Sequence, residues 1–222
     1  MKGKLEDKQA QLYVYQRFIK DYVRCIDGLD DQIGRILSFL DESGLTKNTL
    51  VIYSSDQGFF TGEHGWAEKR WMYEESFKSP LLMRWPGVIK PGTRINALVQ
   101  NIDLAPTLIR AAGLNVPETV HGLALQPVLS GKEPPSWRKD LLYQYFDGGT
   151  PENRGPYNMP RHEGVRDTRY KLISFYEYRK WEFYDLREDP HELKNLIGEP
   201  TMKGEINRLK KRLEELKSGY GL

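Results

Sequence analysis

Between about Gln11 and Ser43 the apolar residues recur every three or four positions: Phe18, Tyr22, Cys25, Ile26, Leu29, Ile33, Ile36, Leu37 and Leu40. That period predicts one long amphipathic helix, and Gly44 stands where a helix-ending glycine belongs. After a short loop, Leu45 to Asn48, the run Thr49-Leu50-Val51-Ile52-Tyr53-Ser54 reads as a strand buried on both faces. Helix, loop and buried strand make half of a βαβ crossover, so an α/β sheet with helical cover is expected. Leu81 to Trp85 follows Pro80, which starts it as a strand, and it is the one other run of comparable parallel type. Asp103 to Gly113 predicts a compact helix, with Asp103 able to cap its first turn and Gly113 ending it.

After Trp137 the pattern changes. Leu141 to Phe146, Gly164 to Arg166, Tyr170 to Tyr176 and Trp181 to Leu186 are rich in aromatic or β-branched residues and separated by charged turns. A Gly/Pro-rich loop from Asp147 to Pro160 interrupts them. This spacing predicts an antiparallel sheet. From about Met202 to Lys217, Ile206, Leu209, Leu213 and Leu216 share one face of a helix that should pack on it. The chain thus divides into an α/β part, 1–135, and an antiparallel sheet with a terminal helix, 136–222. Two central strands are too few for a stable α/β domain, so the first part is expected to be incomplete, the end of a larger unit.

Composition narrows the function. Of 222 residues, 39% are hydrophobic and 29% charged, which suits a globular domain and its appendage. The net charge of +2 argues against a nucleic-acid partner, which needs a concentrated basic face. No stretch of 18 apolar residues marks a membrane span, and the polar run after Met1 is no secretory signal. The single cysteine, Cys25, excludes an intramolecular disulfide and a Cys-rich zinc site; its place beside Tyr22, Ile26 and Leu29 predicts a small core residue.

Candidate chemistry lies at the end of the first strand, in Ser54-Ser55-Asp56-Gln57-Gly58. Open α/β sheets bind ligands at the carboxyl ends of their strands. A carboxylate followed by an amide offers two oxygens of the kind a hard cation takes, although an Asp-x-Gly turn after a strand has the same appearance. Further along stand Gly62-Glu63-His64-Gly65-Trp66, Glu68-Lys69-Arg70, Tyr73-Glu74-Glu75-Ser76, Trp85-Pro86-Gly87 and Ile102-Asp103-Leu104-Ala105-Pro106-Thr107. The chain closes with Tyr184-Asp185-Leu186, Asp189-Pro190, Glu192 and Asn195-Leu196. In this order the motifs resemble the type I sulfatases of the alkaline-phosphatase-like superfamily, in particular the bacterial enzymes that act on glycans.

The resemblance implies the C-terminal half of an alkaline-phosphatase-like sandwich plus a small antiparallel-sheet and helix subdomain. By the same resemblance Asp56 and Gln57 match the second pair of Ca²⁺ ligands, and Lys69 the lysine that contacts the sulfate ester. His64 either borders the pocket or fixes its loop. Arg161 and His162 are candidate contacts to a sulfated carbohydrate. The family's nucleophile is a formylglycine made from Cys or Ser in Cys/Ser-x-Pro-x-Arg, a motif that these 222 residues do not contain. The first metal-binding Asp pair is absent as well, so the resemblance implies that the remaining Ca²⁺ ligands come from an N-terminal sulfatase part, with a separate chain bearing it as the expected partner. Taken alone the chain is expected to be inactive. A phosphodiesterase or phosphonate hydrolase of the same superfamily, or a non-catalytic remnant, are the alternatives. The family implies a periplasmic or secreted setting.

Overall fold

The computed structural model describes residues 8–147 and 159–222. Most of the Gly/Pro-rich loop, residues 148–158, therefore lies outside the described residues.

Helix α1 spans Lys8–Glu42. It ends as the sequence predicts: Gly44 adopts φ +67°, and the Leu45 N–H reaches back to the Leu40 carbonyl at 2.9 Å, satisfying an end carbonyl. Its length of apolar periodicity is real, but the face is not buried. No residue of α1 is buried, Ile26 and Leu29 are exposed, and so is Cys25. Cys25 is therefore not the small core residue that its position predicts. Periodicity identifies a face, whereas burial requires a partner, and the described elements cover this one only in part: Tyr22 stacks on Phe59, and Phe18, Ile33, Leu37 and Leu40 are half-buried.

Strand β1, Val51–Ser54, pairs with β4, Leu81–Arg84. The pairing is antiparallel, with Val51 opposite Arg84 and Ser54 opposite Leu81, so the expectation of parallel-type strands is overturned. A parallel return needs a crossover, usually helical. Here the connection holds a short hairpin, β2 (Phe60–Thr61) with β3 (Ala67–Glu68), and the four-residue helix α2, Glu74–Phe77. The chain turns back instead of crossing over. Val51, Ile52 and Tyr53 are accordingly half-buried and Ser54 exposed, not buried on both faces.

Helix α3 spans Leu104–Ala111. Asp103 does not cap it by a side-chain hydrogen bond. Its fully buried carboxylate accepts instead from the Gln100 and Leu123 N–H groups, each at 2.7 Å, and from both terminal nitrogens of Arg138. Arg138 lies 35 residues away and draws the carboxylate off the helix end. Around this pair Leu125, Val128, Leu129 and Trp137 form a buried cluster against Leu81, Met83 and Trp85.

The antiparallel sheet of the second part is as expected. Strands β5 (Asp140–Tyr145), β6 (His162–Asp167), β7 (Tyr170–Phe175) and β8 (Lys180–Asp185) pair in sequence order. Helix α4, Lys203–Gly219, lays Ile206, Leu209 and Leu213 on Val165, Leu172 and Phe183. Side chains alternate across a strand, and the opposite face carries Ile173, Phe175 and Tyr184, packed with Trp71, Met72, Tyr73 and Phe77. The sheet is thus a slab between α4 and the segment that leads into α2. No helix among the described residues is long and apolar enough to cross a membrane.

Candidate active site

The end of β1 brings three of the sequence-predicted residues together. The chain leaves the strand at Ser54, whose Oγ donates to the Pro80 carbonyl at 2.9 Å and ties the strand end to its neighbour. Asp56 follows, its Oδ1 accepting from the Gln57 N–H at 2.8 Å in a local turn. Gly58 then passes against α2: its N–H donates to the Ser76 carbonyl at 2.8 Å, and a Cβ there would collide with the Glu75 carbonyl. Lys69, 13 positions after Asp56, returns on the far side of the hairpin and pairs with Asp56 Oδ2. The lysine ammonium beside it holds the Asp56 carboxyl below the usual carboxylate range. The carboxylate is nevertheless 70% exposed, so one oxygen-rich edge of the cluster is open.

The hairpin that carries this return is strained. His64, Glu68 and Arg70 all adopt positive φ, at +54°, +94° and +90°. Non-glycine residues persist in such conformations when their surroundings over-determine them. The Glu63 carboxylate accepts from the Thr61 N–H at 2.7 Å and folds the Gly62–Gly65 loop back on itself. Beyond Lys69 the constraint comes from the sheet. The Arg70 carbonyl accepts from the Tyr143 hydroxyl at 2.5 Å. The fully buried Lys171 ammonium donates to the Met72 carbonyl at 2.6 Å and pairs with Glu74 at 2.9 Å and Glu192 at 2.8 Å. Arg166 lies 3.4 Å from Glu74, whose own N–H donates to Glu192 at 2.7 Å. Met72 packs where Gly164 leaves room; a Cβ at Gly164 would collide with its sulfur. Burial pushes the Glu192 carboxyl up to about 7 despite Lys171 beside it.

The remaining predicted residues stand apart from the Asp56–Lys69 pair. His64 is 13% exposed, stacked on Tyr73 with 4.6 Å between ring centroids, and its Nε2 lies 3.5 Å from Glu75. These contacts hold the ring against α2 and the residue before it. Arg161 is half-buried, with its main-chain N–H on the Glu177 carboxylate at 3.1 Å. His162 is fully buried among Trp71, Tyr143, Tyr145 and Phe175. Its Nδ1 faces the Pro160 carbonyl at 3.0 Å; that carbonyl can only accept, so Nδ1 carries the proton and Nε2 is the bare nitrogen.

Burial lowers the His162 pKa to about 4. Because the folded value lies below the unfolded one, this residue's contribution is intact above about pH 6.5 and is lost as pH falls toward 4. At pH 5 the loss amounts to about 2 kcal/mol. Glu192 titrates in the same window with the opposite sign, so the check is a difference. The stability of His162→Phe relative to the parent, from urea unfolding at pH 7.5 and pH 5, is expected to rise by about that amount. A constant difference would mean that His162 does not titrate there.

Sequence reasoning missed Trp71, Tyr143, Lys171 and Glu192 as supports of the site. Two signals were available: Lys171 is a lone charge in the mostly apolar strand between Tyr170 and Leu172, and Glu192 stands in the closing motif. Burial pushes the Tyr143 hydroxyl up to about 12, which keeps its proton in place for Arg70.

Comparison with known proteins sets this arrangement in a family. The Sulfatase family profile matches residues 2–114, and that of N-sulphoglucosamine sulphohydrolase, C-terminal, matches residues 62–219. The chain is 40% identical over 222 residues to N-acetylglucosamine-6-O-sulfatase of Bacteroides thetaiotaomicron, covering 99% of this chain and 39% of that protein. It superposes with TM-score 0.91 and 39% identity on a solved structure described as being in complex with its substrate D-glucosamine-2-N,6-O-disulfate. That match covers 99% of this chain and 44% of the other. The phosphonate monoester hydrolase of Silicibacter pomeroyi is more distant, at TM-score 0.76 and 28% identity, covering 86% of this chain and 39% of that one. The chain spans about two fifths of the length of these relatives.

Proposed function

The chain belongs to the sulfatase family, and from that premise we propose that it forms part of a sulfuric ester hydrolase acting on a sulfated carbohydrate, with 6-O-sulfated glucosamine the first substrate to test. The observation that carries the reading is the Asp56–Lys69 pair beside Gln57 at the carboxyl end of β1. The sugar class is supported by the names of the relatives alone.

Asp56 and Gln57 fit a hard cation in donor chemistry, one charged and one neutral oxygen, and the exposed Asp56 carboxylate already attracts an ammonium. Among the described residues no group of three or more His, Cys, Asp or Glu side chains comes together to hold a metal. Calcium takes ~6–8 oxygens, so these two residues would supply part of its shell. A bound calcium ion supplies Lewis-acid polarisation of the sulfate and a template for it. The protein's own contributions are distinct. Asp56, an exposed carboxylate, provides the negative charge that retains a cation. Lys69 provides a compact positive charge on a constrained loop, suited to negative charge gathering on the ester oxygen as the S–O bond breaks.

The test is sulfate release from glucosamine 6-sulfate by the full-length protein that bears this chain. Turnover that falls on chelator treatment and returns with calcium is expected. The 222 residues by themselves are expected to give none. Hydrolysis of a phosphonate monoester with no turnover of any sulfate ester would replace this reading by the phosphonate hydrolase one.

A further inference from the structure

We infer that Tyr143 is a positioning residue whose single hydroxyl orients the Gln57 amide and, in the same act, fixes the main chain next to Lys69. The inference rests on the reading of Asp56 and Gln57 as cation ligands and adds to it a residue from the other part of the chain.

Tyr143 lies on β5 and reaches the site from the sheet. Its Oη donates to the Arg70 carbonyl at 2.5 Å and accepts from Gln57 Nε2 at 3.4 Å. Counting protons makes the second contact directional. A phenol has one hydrogen, and the Arg70 carbonyl, which can only accept, takes it. Toward Gln57 the hydroxyl can offer nothing but a lone pair, so the amide must turn its NH₂ to Tyr143. Its Oε1 is thereby directed to the other side, and oxygen is the atom a hard cation takes. An unconstrained glutamine samples both flips of its amide; a tyrosine committed to Arg70 selects the useful one. The ring that carries the hydroxyl is itself held, with Phe77 edge-on at 5.4 Å and His162 at 5.5 Å between centroids. The other partner, Arg70, follows Lys69 directly and sits at φ +90°, where a fixed carbonyl is needed to hold an unfavourable backbone conformation. One hydroxyl therefore couples the cation ligand of one loop arm to the lysine of the other.

In the full-length protein Tyr143→Phe removes the hydroxyl and keeps the ring. Calorimetric calcium affinity is expected to weaken by about 10-fold or more, as for other outer supports of metal ligands. A packing role alone would not produce the second expected result: in a Gln57→Ala background, with no amide to orient, Tyr143→Phe leaves calcium affinity within about twofold. Equal losses in the two backgrounds would overturn the inference. So would parent-like affinity of Tyr143→Phe while Asp56→Ala loses calcium, an outcome that leaves the site reading intact. An Asp56→Ala protein that binds calcium and turns over like its parent would instead overturn the site reading itself. If Tyr143→Phe does not fold, the calcium-loaded crystal structure of the parent decides. Gln57 Oε1 on the cation with Nε2 on Tyr143 Oη supports the inference; Nε2 turned away from Tyr143 overturns it.

Discussion

Lys69→Ala in the full-length protein is expected to lower kcat by ~10²–10³-fold, the usual consequence of removing one preorganised group that meets charge developing in the transition state. KM should change much less, because an interaction that strengthens mainly as the bond breaks contributes little to ground-state binding. Geometry supports this assignment over that of an ordinary surface lysine. Lys69 is 26% exposed, sits on Asp56 and is followed at once by a backbone tied to Tyr143 and Lys171. Surface lysines on solvated loops are not braced in this way. Lys69→Arg should restore only part of the rate, since a planar fork does not occupy a point-charge site. Calcium content should be unchanged in both variants because Asp56 and Gln57 are untouched. Steady-state kinetics with metal analysis is the check. Near-normal kcat in Lys69→Ala would reduce the lysine to a counter-ion for Asp56.

Lys171→Ala carries the largest expected cost in stability, about 3–5 kcal/mol, because it leaves buried carboxylates without their cation. Glu192 is 2% exposed and Lys171 fully buried, so water cannot take over the lost contacts. Glu74 keeps Arg166, whereas the pair formed by Glu192 with Lys171 has no substitute of that strength in view. The loss reflects a buried carboxyl left without its partner more than the worth of the ion pair. Removing both charges with Lys171→Met and Glu192→Leu should therefore cost less than Lys171→Ala alone. Chemical unfolding of the three proteins tests this. A single variant within about 1 kcal/mol of its parent would show that the triad is solvated in solution.

The parts of the fold that were legible in the sequence are those written in local patterns. The span of α1, its glycine stop, the four antiparallel strands and the packing face of α4 all follow from spacing within a few residues. Burial and the direction of the first strand pair were not legible, since they depend on what lies opposite: β1 and β4 are apolar runs that serve equally in parallel or antiparallel pairs, and no residue on the apolar face of α1 is buried. The same division holds in the site. Asp56, Gln57 and Lys69 lie within 13 positions and form a recognisable motif. Tyr143 meets Arg70 across 73 positions and Lys171 meets Met72 across 99, and no periodicity relates residues at such separations. His162 shows the converse: its place in a motif drew attention, while its full burial among aromatic rings, set by residues far along the chain, could not be read there.

The sheet that backs residues 70–77 also limits how such proteins can be recombined. Main-chain atoms of Arg70, Met72 and Glu74 are held by side chains at positions 143, 171 and 192. A cut near position 135 looks convenient on a domain diagram, but it separates a loop from the side chains that set its backbone. A chimera that joins residues 1–135 of this chain to the sheet of a distant relative inherits a lysine loop without its matching clamp. Productive crossovers should carry 69–77 and 140–192 from the same parent, as one heritable block.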